Sequence, residues 1–176
     1  MGELNDAEKK LRDNIKDSRL LSNLERIREI AEDIWAEDST RVVQFYTDHG
    51  IKHSERLVEI ADSLLKANNG SPLSSEEMYL LLAGIYLHDI GMQCDIIRFP
   101  EIMALAEEMG AEFGPSFPEN PKNYDIEMQK SIRRNHQFLT AAWIDYANRT
   151  GKTILGPVAK DISSKLVDDL IDICKH

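Results

Sequence analysis

The sequence predicts an all-α protein, a helical bundle gathered around one central buried helix. Three observations predict it. Apolar residues recur at spacings of three and four along most of the chain, no segment alternates apolar and polar residues as a half-buried strand does, and the stretch MYLLLAGIYLHDIG is apolar on every side. A helix without a polar face must be surrounded by other helices, so this stretch belongs at the centre.

The elements follow in order. From Asn5 to about Trp35 the chain is rich in Glu, Lys, Arg and Leu, with Leu20, Leu21, Leu24, Ile27, Ile30, Ala31 and Ile34 at helical spacing. No Pro or Gly interrupts it, and Asp17-Ser18 marks a break between two helices. Ser39 and Thr40 are placed to cap a short turn through Phe45 and Tyr46, and His49-Gly50 reads as a loop. From His53, Leu57, Ile60, Ala61, Leu64 and Leu65 define the inward face of the next helix, which Asn68-Asn69-Gly70-Ser71-Pro72 ends.

Ser74 and Glu77 form a capping box immediately before the apolar stretch, and Gly91 is read as its C-terminal glycine, leaving His88-Asp89 at the end of the element. Residues 95 to 124 hold four of the six prolines around one helical pattern from Ile102 to Met109, and are read as an excursion or lid. Asp125 caps a single long helix whose stripe is Met128, Ile132, His136, Leu139, Thr140, Trp143 and Ile144, closed by Arg149-Thr150-Gly151. A last helix starts near Asp161 with Leu166, Leu170 and Ile173 inward.

Length and charge bound the function. A chain of 176 residues suffices for one hydrophobic core. Lys and Arg total 21 against 31 acidic residues, a formal net charge of -10, so the overall field repels polyanions and argues against non-specific nucleic-acid binding. A phosphate ester needs a metal or a local basic cluster to bind against that field. Two cysteines are too few for a disulfide framework, the amino-terminal residues lack a signal-peptide h-region, and the longest charge-free apolar run falls well short of the roughly 20 residues of a membrane span. The expectation is a soluble cytoplasmic protein.

Five histidines occur: His49, His53, His88, His136 and His176. A single His on an apolar helix face is more often an ordinary residue than a ligand. His53, His88 and His136, however, lie on inward faces of different helices, and burying three imidazoles separately demands three hydrogen-bond solutions. One shared metal satisfies all three. Asp89 adds a carboxylate that neutralises charge and can bridge two ions; its ordinary reading is a helix-end residue reaching solvent.

These residues carry a resemblance. DHGIKHSERLVEIA, then LLLAGIYLHDIGM, then IRRNHQFLTAAWI resembles the motif order of the HD-domain superfamily of metal-dependent phosphohydrolases, over roughly residues 48 to 144. The His-Gly-x-x-His-Ser form is similar to a subgroup of HD-CE-like domains found in larger multidomain proteins. The resemblance implies an HD-domain helical bundle at 48–176, packed against charged helices at 1–47. It implies one or two divalent ions (Mn, Fe, Co, Ni, Zn or Mg) held by His53, His88, Asp89, His136 and His176, with Asp89 also the catalytic residue. His49, Arg133 and Arg134 are the expected substrate contacts, although for the two arginines a solvated basic helix face is an equal reading.

The implied function is hydrolysis of a nucleotide or other phosphomonoester or phosphodiester by a metal-activated water, the partner being that small ligand and self-association running through the amino-terminal helices. The family's late Asp ligand has no counterpart segment: Asp161, Asp168, Asp169 and Asp172 fall mostly on the outward side of the last helix. The resemblance therefore implies a truncated domain. Three further readings are a di-iron oxidase, a non-catalytic regulatory or ligand-sensing module, and a plain bundle with incidental histidines.

Overall fold

The computed structural model describes residues 4–36, 42–43, 50–67, 73–114, 116–156 and 162–176. Among these the regular structure is helical: α1 (Asp6–Arg12), α2 (Ser18–Ala36), α3 (Ile51–Ala67), α4 (Ser75–Leu87), α5 (Pro100–Glu108), α6 (Ile126–Arg134), α7 (His136–Thr150) and α8 (Ser164–Lys175), with 3-10 turns at Ile90–Gln93 and Pro121–Asn123. The chain is all-α, as predicted. The expected turn at Ser39, Thr40, Phe45 and Tyr46, and the residues His49 and Asp161, lie outside the described residues.

Helix α4 is the axis. The Ser74 hydroxyl accepts from the Glu77 backbone N–H while the Glu77 carboxylate accepts from the Ser74 N–H, so the capping box forms. Met78, Tyr79, Leu82, Ala83, Tyr86 and Leu87 are all buried, with α2, α3 and α8 packed around them. Leu24, Ile27 and Ala31 of α2 join the same core, so the amino-terminal helices pack on the central helix directly. The chain breaks between α1 and α2 where the sequence suggested, with the Asp17 carboxylate accepting from the Arg19 N–H at the start of α2.

The α1–α4 junction is ionic as well as apolar. Glu8 and Arg28 are fully buried. Arg12 lies 2.8 Å from the Glu8 carboxylate and Arg28 Nε 3.4 Å from it, while Tyr86 donates its hydroxyl to the same carboxylate. Burial and the neighbouring Glu8 push the Tyr86 hydroxyl well above the usual phenol range, keeping it a donor. Arg28 also reaches Glu55 of α3 at 3.4 Å, which ties the turn carrying His53 to α2.

Several expectations are corrected. Helix α3 buries Ser54, Val58 and Asp62, whereas Ile60 and Leu64 are exposed, because α3 lies at the edge of the bundle with Asp62 turned toward Lys10 and Lys66. In α8 the buried stripe is Leu166, Val167, Leu170 and Cys174; Ile173 is half exposed. Within residues 95–124, Ile96, Ile102 and Ala106 are buried and α5 packs along α7, so the first part of this excursion is a packed wall.

The predicted long helix from Asp125 is two helices. It breaks at Asn135 (φ -111°, ψ 8°), whose side chain donates to the Ser131 and Glu112 carbonyls at 2.8 and 2.9 Å and accepts from the Glu112 N–H at 3.0 Å. An Asn amide offers the backbone an alternative to the helical ladder, and here it is fully used. The break makes His136 the first residue of α7. The carboxyl end of α7 agrees with the expectation, with Gly151 in the left-handed region (φ 64°) donating to the Ala147 carbonyl.

Candidate metal centre

Three imidazoles from three helices meet one carboxylate. His88 Nε2 lies 3.0 Å and His53 Nε2 3.8 Å from Asp89 Oδ2, while His136 Nε2 lies 3.2 Å from Asp89 Oδ1. Among the described residues, His53, His88 and Asp89 form a group whose ligand atoms all lie within 4.8 Å of one another, so one ion can be shared between them. His136 stands at the other oxygen of the same carboxylate. Asp89 is 6% exposed, whereas the three histidine side chains are 27–33% exposed, so the cluster has a buried floor and an open rim.

Local structure aims each ring. His88 follows the last residue of α4, and its backbone N–H donates to Gly84. Asp89 occupies the bridge region (φ -103°, ψ -3°), sparsely populated and common at active sites, which turns the chain out of α4. His88 Nδ1 is 2.8 Å from the Ile85 carbonyl, and His136 Nδ1 is 2.6 Å from the Arg133 carbonyl. A carbonyl can only accept, so Nδ1 carries a proton in both rings and Nε2 is the atom turned toward the carboxylate.

That arrangement carries its own demand. A neutral imidazole lone pair and an ionised carboxylate about 3 Å apart repel unless a positive charge lies between them. The charge is either a second proton on the ring or a metal ion, and a donor set of imidazole and carboxylate is what a divalent transition ion binds. Without a metal the proton serves: burial disfavours the charged forms, but hydrogen bonds from His136 and His88 hold the Asp89 carboxyl far below its usual range, and the carboxylate in turn raises His136. The residues fit a metal.

Three supporting residues have roles beyond the sequence reading. Ser54 donates to the Ile85 carbonyl at 3.3 Å, the oxygen that also orients His88, so the His-Ser pair locks α3 to α4 while supplying a ligand. Thr140 accepts from the Gly91 N–H at 2.9 Å and donates to the His88 carbonyl at 3.0 Å, latching α7 to the His-Asp turn. Gly91 is not a left-handed helix cap; it lies inside the 3-10 turn, and a Cβ there would come 2.2 Å from the His136 carbonyl oxygen and 2.7 Å from the Thr140 nitrogen. Glycine lets α7 approach closely enough to deliver His136. A buried Thr one turn after a His was the available signal.

The other expected site residues lie elsewhere. Arg133 and Arg134 are exposed at the end of α6, beside His136. His176 is exposed at the end of α8, outside the group of candidate ligands, and His49 is outside the described residues. Asp168 and Asp172 are exposed and Asp169 is half-buried, none of them in that group. Among the described residues no helix is long and apolar enough to cross a membrane.

A family model, HD-CE, matches residues 43–176, which takes in α3 through α8 and every residue of the cluster. No curated protein and no solved structure matches the chain.

Proposed function

The chain belongs to the HD-CE family, and from that premise we propose that it is a metal-dependent phosphohydrolase acting on a nucleotide or another phosphomonoester or phosphodiester. The observation that carries this reading is the pair of carbonyl-held Nδ1 atoms, which commits His88 and His136 to present Nε2 to Asp89. His53, His88 and Asp89 would hold one divalent ion, of Mn, Fe, Co, Ni, Zn or Mg. Asp89 and His136 would be the residues available to a second. A bound ion supplies Lewis acidity toward phosphoryl oxygens and acidification of water.

The chain's own residues do the rest. Asp89, nearly buried, brings the negative charge that retains a cation, while the partly exposed histidine edges leave a phosphoryl group room to approach. Arg133 and Arg134, exposed at the carboxyl end of α6 just before His136, are the basic residues that would draw a phosphate dianion toward the cluster in a strongly acidic protein. The test is metal content after loading with Mn, Fe, Co or Ni, followed by phosphatase and cyclic-nucleotide screens. We expect at least one equivalent of metal and turnover, both abolished in His88→Ala plus Asp89→Ala. A chain with neither metal nor turnover ends this reading.

One observation favours a second reading, a ligand-sensing module without turnover: the acids of α8 stay outside the cluster, so no late carboxylate joins the group among the described residues. An equal ligand response in the wild type and the double variant is the signature of that case.

A further inference from the structure

A cavity of about 420 Å³ opens between the end of α2, residues 93–99, the 3-10 turn at Pro121 and the far half of α7. None of His53, His88, Asp89 and His136 lines it. Helix α7 contributes Trp143, seven residues beyond His136 and so about 10 Å further along the helix axis. Residues 152–154, past the end of α7, close the wall. The cavity is therefore separate from the metal cluster, and its volume lies in the range of small-molecule sites, roughly 300–1,000 Å³.

Its chemistry runs against that of the whole chain. The formal net charge is -10, yet Arg98, Lys122 and Lys152 line this one cavity against a single acid, Asp95, whose carboxylate already accepts from the Arg98 backbone N–H at 3.0 Å. Two polar groups of the lining residues are buried without a partner. Trp143 is 5% exposed, and its Nε1–H finds no acceptor among the described residues; neither does the buried hydroxyl of Thr153. Buried donors without partners are rare in folded proteins, because desolvation is then uncompensated. Three cations around one acid, in a cavity with an aromatic wall, describe a site for phosphate or carboxylate oxygens on a ringed ligand. The apolar part of the wall is aromatic, Phe99 with Trp143, and the Arg98 guanidinium lies 5.2 Å from the Phe99 ring centroid.

We propose that this cavity is a second small-molecule site, and that it takes a flat-ringed organic anion, an aromatic or heterocyclic phosphate or carboxylate. The ring lies against Phe99 and Trp143, while the anionic group meets the cations. The proposal is independent of catalysis at the metal cluster.

Isothermal titration calorimetry on the full chain in EDTA tests it, with AMP, UMP and salicylate as ringed anions, and adenosine and inorganic phosphate as the two halves. At least one ringed anion is expected to bind with unit stoichiometry, about tenfold or more tighter than either half, since each charged hydrogen bond lost costs about one decade. Arg98→Ala and Lys152→Ala, both at the cavity mouth, weaken it by a similar factor. His88→Ala plus Asp89→Ala binds as the wild type does, whatever becomes of metal and turnover. The proposal is overturned if no ringed anion binds up to about 1 mM, a free energy near -4 kcal/mol, or if binding survives Arg98→Ala and is lost in the double variant, which places the ligand at the metal cluster.

Discussion

Substituting Gly91 by alanine separates local propensity from tertiary fit. Gly91 does not occupy the left-handed region, and at such a position Gly→Ala normally stabilises by about 0.4–1 kcal/mol by restricting the unfolded chain. The structure predicts the opposite sign. The added Cβ would lie 2.2 Å from the His136 carbonyl oxygen and 2.7 Å from the Thr140 nitrogen, both backbone atoms that cannot rotate away. Restoring a tolerable contact requires the start of α7 to withdraw by roughly 1 Å, and such overpacking costs about 1–3 kcal/mol. Even after the entropic gain, a net loss of about 1–2 kcal/mol remains, or a melting-temperature fall of roughly 2–8 °C for a chain of this size. The same withdrawal carries His136 away from Asp89 and strains the Thr140 latch, so Mn affinity should fall and phosphatase activity should drop by about a hundredfold. Thermal melting and Mn titration check both effects. A Gly91→Ala chain that melts at or above the wild-type temperature with unchanged Mn affinity refutes the close-approach argument.

Thr140→Val keeps the shape but leaves the Gly91 N–H and the His88 carbonyl without partners, so it should lower stability by about 1–3 kcal/mol in urea unfolding, with Thr140→Ser restoring most of it. Arg28→Ala removes one of the two guanidinium groups at the buried Glu8 carboxylate and leaves Arg12 and Tyr86 to hold it, so a loss of about 1.5–3 kcal/mol in urea unfolding is expected. The metal-free chain should show a pH dependence of known sign. Asp89 is lowered from 3.8, so its contribution is present above that pH and is lost as acid protonates it; His136 is raised from 6.5, so its contribution is present below 6.5 and is lost as pH rises through its folded value. In EDTA the urea midpoint should therefore fall from pH 6 to pH 9, less so in His136→Gln. With saturating Mn the trend should reverse, because neutral imidazole is the ligand form.

Much of the fold was legible in the sequence because it depends on neighbours a few residues apart. The Ser74–Glu77 capping box, the Asp125 cap and the Gly151 stop each follow from spacing. So does the central place of α4, since a helix apolar on every side has one environment open to it. The pairing of His53, His88-Asp89 and His136 was readable as residue types in order, which is why the family resemblance and the family match agree.

The sequence could not show which apolar residues are spent on contacts. Ile60, Leu64 and Ile173 fit a helical stripe but lie partly outside, because α3 and α8 cover one side of the bundle and the stripe is wider than the surface it meets. Nor did spacing show that Asn135 divides α6 from α7, since its amide is satisfied by Glu112, 23 residues away. By itself the sequence determined an all-α chain with a His, His-Asp, His order around one buried helix. Only the tertiary structure decided that the rings face one carboxylate with Nε2 forward, because that depends on carbonyls, a Thr latch and a glycine contact that join distant parts of the chain.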